Sequence, residues 1–302
     1  MPEALASDAP TPAAGVARRP RLAVVVGSGG IKCVAAIGMW KVLRREGIDV
    51  DIAVGCSGGA LYNATMALGM SVADAEEHSL GMWGGLFKQL HYRSLVRSVL
   101  PRWFGFNERS GLVDDRAVGK AMRTLFGDAT FADTQIPLHL AATDLRSGER
   151  VAINTGHIGD AVRASIAIPL LLRPWPVDGR LLVDGGISDP LPVSIAIREG
   201  AEIILAMGFE TPPTERLHSL LGVGGQSISI TVNHLLRATY AFYSAAHHAE
   251  IIPLMPSFEQ PVHLGDTHLI PHLIEQGERV TEAQLPYLRR LLAAGSMARG
   301  AS

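Results

Sequence analysis

The chain has 302 residues, 47% of them hydrophobic, and a formal net charge of −2 at pH 7, which is typical of a globular protein with one large core or at most two domains. This balance excludes the overall positive charge that marks nucleic-acid-binding proteins, so we expect no nucleic-acid partner. Cys33 and Cys56 are the only cysteines, which excludes a disulfide framework and favours a reducing compartment.

Both ends of the chain are predicted to lie outside the folded domain. Residues 1–20 contain acids and prolines but lack the apolar stretch of a secretory signal, so we expect a disordered tail there, and a second tail at 296–302. No uncharged apolar run of about 18 residues occurs, so any membrane contact is expected to be peripheral. We expect a cytoplasmic protein, in peripheral contact with the inner membrane face. The sequence carries no signal of oligomeric state.

Apolar runs predict alternating strands and helices in the first part of the chain. Residues 21–26, RLAVVV, predict a buried parallel strand, and residues 31–46 predict a helix that ends near Gly47. A second buried strand at 50–54 runs into a glycine turn, and a helix follows over 59–70. This order is typical of βαβ units around a parallel sheet, and predicts an α/β fold.

Later apolar runs predict further strands at 138–143, 150–153, 180–183 and 202–207. A C-terminal helix over 282–294 carries three leucines on one face, which predicts that it packs against the core: Leu285, Leu288 and Leu292.

The first glycine loop, GSGGIK at 27–32, fits neither of the common phosphate-binding patterns. A dinucleotide fingerprint requires glycine where Lys32 stands, and a Walker A loop requires glycine and serine or threonine where Ile31 and Cys33 stand. A row of backbone N–H groups before a helix remains, and acyl-transfer enzymes need such donors for the oxyanion of their tetrahedral intermediate. The alternative is a plain tight turn.

The second glycine turn, VGCSGG at 54–59, has the pattern Gly55-x-Ser57-x-Gly59. This pattern is typical of a nucleophile elbow, in which a strained strand-to-helix turn exposes the serine hydroxyl. A tight turn without catalytic function is the alternative. Because both glycine loops follow early parallel strands, we expect them at the same rim of the sheet.

A serine nucleophile needs a base, and the sequence offers two kinds. An α/β-hydrolase triad would use a late histidine, and the candidates are His234, His247, His248, His263, His268 and His272. None of them follows an evident strand end, so each is better explained as a surface or helix-face residue. Asp184 follows the predicted strand at 180–183 and precedes Gly185 and Gly186, so its carboxylate is expected at the sheet rim. A common Asp-Gly turn is the alternative.

In combination, these motifs resemble the patatin-like phospholipase family, whose members use a Ser–Asp dyad without a histidine. The residues that match its oxyanion loop, its elbow and its dyad motif are Gly29, Gly30 and Lys32, then Gly55, Ser57 and Gly59, then Asp184, Gly185 and Gly186. Segments 142–148, 163–169 and 188–193 also resemble the family, and the resemblance covers about residues 20–210.

The resemblance implies a patatin-like three-layer α/β/α fold with a mainly parallel central sheet. It implies one acyl hydrolase domain over 21–295, with a cap-like segment at about 72–130, and neither cofactor nor metal. Asp184 is expected to take the proton of Ser57 as the serine attacks a lipid ester, with its pKa raised by partial desolvation. The expected oxyanion donors are the backbone N–H groups of Ser28, Gly29, Gly30, Ile31 and Lys32, with that of Gly58.

Two residues depart from the family pattern. Ser28 stands where the family usually has the first glycine of the loop, and Cys33 stands where it usually has a glycine after the basic residue. The second change places a Cβ and a thiol just inside the following helix, where we expect them to crowd the oxyanion site.

Residues 82–106 combine basic and aromatic side chains without any acid. The basic residues are Lys88, Arg93, Arg97 and Arg102, and the aromatic ones are Trp83, Phe87, Tyr92, Trp103, Phe104 and Phe106. Such a segment suits contact with an anionic membrane, or a cap helix whose arginines reach out to water.

The expected activity is hydrolysis of a lipid acyl ester, of the phospholipase A or lysophospholipase type. The same dyad would serve a transacylase or an intracellular polyester depolymerase. A weakly active lipid-binding scaffold is a further alternative if Cys33 closes the oxyanion site.

Overall fold

The computed structural model describes residues 19–87, 115–215, 217 and 220–297, and within them eight strands form one sheet. The strands are β1 (Leu22–Val26), β2 (Ile52–Cys56), β3 (Leu138–Asp144), β4 (Arg150–Ile153), β5 (Trp175–Val177), β6 (Arg180–Asp184), β7 (Ile203–Met207) and β8 (Glu250–Leu254). Strands β3, β2, β1, β7 and β8 lie side by side and are parallel, whereas β4 and β6 run antiparallel to β3, and β5 antiparallel to β6. The predicted mainly parallel sheet is therefore confirmed.

Helices cover both faces of this sheet and give the three-layer α/β/α architecture. The described helices are α1 (Ala35–Arg45), α2 (Gly58–Ala67), α3 (Val72–Phe87), α4 (Asp115–Phe126), α5 (Ile158–Ser165), α6 (Val193–Arg198), α7 (Leu220–Ala246) and α8 (Ile270–Met297). Alternate residues of β1 serve the two sides: Leu22, Val24 and Val26 pack with α1, α2 and α8, and Ala23 and Val25 pack with α6 and α7. Because β1 is buried on both faces, its sequence is an unbroken apolar run.

Some elements differ from the sequence-based expectation. The predicted helix at 31–46 begins as a 3-10 turn, Gly30–Val34, before α1, and the predicted helix at 282–294 is the second half of α8. Strands β5 and β8 were not predicted, because each is short and contains a proline, Pro176 or Pro253. Helix α7 was not predicted either, since its glycines and hydroxyl residues interrupt the helical spacing of its apolar residues.

Several predicted segments fall outside the described residues. These are residues 1–18 of the N-terminal tail, the C-terminal residues 298–302, and residues 88–114 of the cap-like segment, with all four basic residues of 82–106. Arg19, at the end of the predicted N-terminal tail, is described and forms an ion pair with Asp51 at 2.7 Å. In the described part of the chain, none of the helices has the length and apolar content that crossing a bilayer requires.

Two glycines bring the backbones of α1 and α8 into direct contact. A Cβ atom built on Gly38 would lie 2.1 Å from the carbonyl oxygen of Ile274, and one built on Gly277 would lie 1.9 Å from that of Ala35. No side chain fits at either position unless the helices move apart. This contact fixes α8 against the helix that follows the first glycine loop.

We predict that Gly277→Ala lowers the free energy of unfolding by about 2 kcal/mol, because overpacking of this kind typically costs 1–3 kcal/mol. Alanine normally stabilises a helix interior by about 1 kcal/mol relative to glycine. A loss of stability in this variant would therefore show that the close approach of the helices outweighs helix propensity. Denaturant unfolding followed by circular dichroism measures the change.

The matched control is Gly225→Ala in α7, where a built Cβ has no atom of the described residues within 4 Å outside its own helical turn. This variant should be as stable as the wild type or more so. Equal stability of Gly277→Ala and the wild type would contradict the close approach of α1 and α8.

Candidate active site

The turn between β2 and α2 holds Ser57 in a rare backbone conformation, with φ 55° and ψ −126°. Non-glycine residues seldom adopt positive φ, and such strain persists only where the surrounding structure enforces it. The flanking glycines allow the turn: a Cβ on Gly55 would lie 2.5 Å from Ala60 Cα, and one on Gly59 would lie 2.2 Å from the carbonyl oxygen of Val26. The turn thus has the geometry of the predicted elbow.

Asp184 reaches this turn because β2 and β6 share one edge of β3. Residue 141 of β3 pairs with both β2 and β4, and residue 142 pairs with both β6 and β4. Since a strand has only two edges, β4 occupies one, and β2 and β6 follow each other along the other. Cys56 lies opposite Ala141 and Asp184 lies opposite Ala142, so the carboxyl ends of the two strands meet.

The structure brings the Ser57 hydroxyl and the Asp184 carboxylate into direct contact. Ser57 Oγ donates a hydrogen bond to Asp184 Oδ2 at 2.6 Å, and the two residues are only 4% and 5% exposed. Asp184 Oδ1 accepts the N–H of Gly186 at 2.8 Å. Because both carboxylate oxygens are engaged, the carboxylate has a fixed orientation toward the serine.

Burial raises the pKa of Asp184 from its usual 3.8 to about 6, while the hydrogen bonds from Ser57 and Gly186 act in the opposite direction. Removing the carboxylate from water disfavours its charged form, and this effect dominates here. A carboxylate with such a pKa is a stronger base than an exposed one and is still deprotonated at neutral pH.

Only part of the first glycine loop has N–H groups available. The N–H of Ser28 donates to the carbonyl oxygen of Pro190 at 2.8 Å, and that of Lys32 donates to Gly29 at 3.2 Å. Within the described residues, no protein acceptor takes the N–H of the other predicted donors: Gly29, Gly30, Ile31 and Gly58. The free donors of this loop are therefore fewer than the sequence suggested.

The side chains of Lys32 and Cys33 do not point toward Ser57. Lys32 Nζ donates to the carbonyl oxygen of Glu210 at 2.9 Å and to Thr211 Oγ1 at 2.7 Å, and burial lowers its pKa to about 8. Cys33 Sγ donates to the carbonyl oxygen of Gly27 at 3.3 Å, lies beneath Gly58 and lines neither pocket that Ser57 lines. The thiol therefore does not crowd the space in front of Ser57.

Sequence reasoning missed Ser165, which stabilises the elbow through hydrogen bonds to its backbone and to β3. Its hydroxyl accepts the N–H of Ser57 at 2.9 Å and donates to the carbonyl oxygen of Ala141 at 2.6 Å. The only sequence signal for Ser165 is its position in segment 163–169, which resembles the family. Asn63 has a similar role on α2, since its amide donates to the carbonyl oxygen of Val54 at 2.7 Å.

Two pockets meet at Ser57. The first is almost entirely apolar, and besides Ser57, Gly30 and Gly58 its lining residues are Leu61, Trp83, Met122, Ile166, Ile168, Leu172 and Leu264. The second lies on the side of Asp184 and includes the polar residues Ser28, Thr211 and Ser229. Ser57 thus lies between an apolar compartment and a more polar one. None of the histidines in the described ranges lines either pocket.

The similarity to known proteins follows the same residues. The model of the patatin-like phospholipase family matches residues 24–197, which is more than half of the chain. An uncharacterized NTE family protein of Mycobacterium tuberculosis is 35% identical over 63% of this chain and 49% of its own length. The patatin-like phospholipase domain-containing protein 7 of Rattus norvegicus is 28% identical over 62% of this chain and 13% of its own. The chain thus spans about half or less of these relatives.

Among solved structures, VipD from Legionella pneumophila aligns over 92% of this chain and 67% of its own, with 13% identity and a TM-score of 0.47. The segment that the family model matches, residues 24–197, contains the first glycine loop, Ser57 and Asp184. The side chains of Ser57 and Asp184 meet at the carboxyl ends of β2 and β6. The chain belongs to the patatin-like phospholipase family.

Proposed function

We propose that this chain hydrolyses the acyl ester bonds of lipids, as a phospholipase A or lysophospholipase, with Ser57 as the nucleophile and Asp184 as its base. The observation that carries the proposal is the buried hydrogen bond of 2.6 Å between Ser57 Oγ and Asp184 Oδ2. A hydroxyl needs such a base to become a nucleophile. Family membership supports lipid hydrolysis, and the geometry of the site supports the roles of the two residues.

In the first step, Ser57 Oγ attacks the ester carbonyl carbon while Asp184 takes its proton. The tetrahedral intermediate then releases the alcohol, which leaves with the proton from Asp184. In the second step a water molecule gives a proton to Asp184 and attacks the acyl-enzyme. The bond to Ser57 breaks, Ser57 regains its proton and the fatty acid leaves.

The N–H groups of Gly29, Gly30, Ile31 and Gly58 remain candidates for the oxyanion hole. They belong to the two glycine loops beside Ser57, and no protein acceptor within the described residues uses them. Donors of this kind act without rearrangement at the moment of reaction, and one of them is typically worth 10²- to 10³-fold in rate. Ser28 and Lys32 leave the predicted set, because their N–H groups already bind Pro190 and Gly29.

The two pockets suggest how an ester lies across the site. The apolar pocket lined by Leu61, Trp83 and Met122 suits a fatty acyl chain, because such a chain binds through the burial of its methylene groups. The alcohol part then faces the second pocket, beside Asp184. A panel of phospholipids, lysophospholipids, neutral glycerides and hydroxyalkanoate oligomers tests the substrate class.

We predict that Ser57→Ala abolishes covalent labelling by an alkyl organophosphonate, because the nucleophile is lost. Fluorescent labelling followed by gel electrophoresis measures the reaction. Ser227→Ala is the control, since this serine lies on the exposed side of α7 and donates to the carbonyl oxygen of Val223. Labelling of Ser57→Ala at the wild-type rate would show that another residue is the nucleophile.

We predict that Asp184→Asn lowers kcat by at least about 100-fold, since general-base catalysis is typically worth that much. Asparagine retains the size and hydrogen-bonding capacity of the residue but cannot take the serine proton. Asp178→Asn is the matched control, because Asp178 is an exposed residue in another Asp-Gly turn. A short-chain ester assay measures the activity, and a thermal melt measures the stability. A folded Asp184→Asn enzyme with near wild-type activity would refute the role of Asp184 as the base.

The pKa of Asp184 predicts the pH dependence. Burial raises the pKa to about 6, so the carboxylate loses its basic form as the pH falls through 6. We expect kcat/KM for an uncharged short-chain ester to be constant above this value and to fall tenfold per pH unit below it. An acid limb centred near pH 4 would indicate an exposed, ordinary carboxylate in its place.

A further inference from the structure

The hydroxyl of Ser28 is buried in the pocket beside Ser57, and none of the described residues forms a hydrogen bond with it. Ser28 lines the same pocket as Ser57, Asp184 and Gly186, and its Oγ atom makes no hydrogen bond within the described residues. A buried hydroxyl without a partner is uncommon in native proteins, because its desolvation is not compensated. The residue itself is held in place, since its N–H donates to Pro190.

The position of this hydroxyl relates it to the catalytic carboxylate. The nearest atoms to a Cβ built on Gly186 would be Ser28 Oγ at 2.8 Å, Ser28 Cβ at 2.9 Å and Asp184 Oδ1 at 3.1 Å. Ser28 Oγ and the Asp184 carboxylate therefore flank the same point beside Gly186. Glycine is required at residue 186, because a Cβ atom there would clash with the hydroxymethyl group of Ser28.

We infer that the Ser28 hydroxyl binds the oxygen atom opposite Ser57 Oγ in each step. This is the alcohol oxygen that leaves the acyl carbon during acylation, and the water oxygen that attacks the acyl carbon during deacylation. Ser28 lines the pocket on the side of Asp184 and does not line the apolar pocket, so it lies on the alcohol side of the ester. The inference rests on the proposed function.

The chemistry of the second step explains why this contact is useful. The attacking water gives one proton to Asp184 and directs a lone pair at the acyl carbon. Its second hydrogen needs an acceptor, or the molecule is free to rotate out of line. Ser28 Oγ is suited to accept that hydrogen bond, because it has no partner within the described residues, whereas Ser57 Oγ is esterified at this stage. Ser28 gains and loses no proton, and the water ends as the new oxygen of the fatty acid.

The variant Ser28→Ala tests the contact through the balance of the two steps. Wild type and variant are mixed with p-nitrophenyl butyrate, the nitrophenolate is followed by stopped flow, and the acyl-enzyme is quantified by intact-protein mass spectrometry. We expect deacylation to slow by roughly three- to tenfold, the range typical of one neutral hydrogen bond, so acyl-enzyme accumulates in the variant. Labelling by a fluorophosphonate, whose leaving group is fluoride and not an alcohol, should stay within about twofold of wild type.

Two further variants separate this role from a general disturbance of the loop. Ser28→Gly removes the hydroxyl without adding bulk and should behave as Ser28→Ala. Ser227→Ala, on the exposed side of α7, should leave both steps unchanged. A loss of folding would affect labelling and deacylation alike, so a selective change in deacylation identifies the contact.

The failures are distinguishable. If the wild type forms no acyl-enzyme and releases no nitrophenolate, the proposed function is wrong and the inference falls with it. If the wild type turns over and both Ser28 variants deacylate at its rate, only the role of Ser28 is refuted.

Discussion

The geometry of the candidate active site depends on which strands pair with the two edges of β3. Because β4 occupies one edge, the parallel β2 and the antiparallel β6 lie in line along the other, and their carboxyl ends meet between Ala141 and Ala142. A hydroxyl and a carboxylate 127 positions apart in sequence are thereby brought to 2.6 Å. The elbow glycines, the support from Ser165 and the burial of Asp184 all serve this junction.

Burial has opposite consequences for the titratable groups around the junction. It raises the pKa of Asp184 toward neutrality, which makes the carboxylate a better base, and it lowers the pKa of Lys32 to about 8. Lys32 is nonetheless held by Glu210 and Thr211, and so connects the first glycine loop to the segment after β7. Its contribution is to hold the loop, in which the N–H groups of Gly29, Gly30 and Ile31 have no acceptor among the described residues.

Much of this arrangement could be predicted from the sequence, because its signals are local. The strand of 50–54 followed by Gly55, Ser57 and Gly59 predicts the elbow, and Asp184 at a strand end predicts a carboxylate at the same rim. The meeting of β2 and β6 could not be predicted, since strand order depends on pairing between distant segments. The pairing of the Ser28 N–H with Pro190 could not be predicted either, because it joins two distant segments. Helix α7 carries too many glycines and serines for its period to be recognised.

The buried Cys33 has a consequence for the reaction of the protein with thiol reagents. Its sulfur packs against Gly58 and is fully buried, and this burial raises the pKa of the thiol. The thiol is therefore both unexposed and protonated in the folded structure. Alkylation then requires local opening of the segment that joins β1 to α1. The rate of alkylation would report how often this loop separates from α2, and an acyl chain bound in the apolar pocket, which Gly30 and Gly58 both line, would slow it. A residue with no part in the chemistry thus becomes a kinetic probe of the glycine loop.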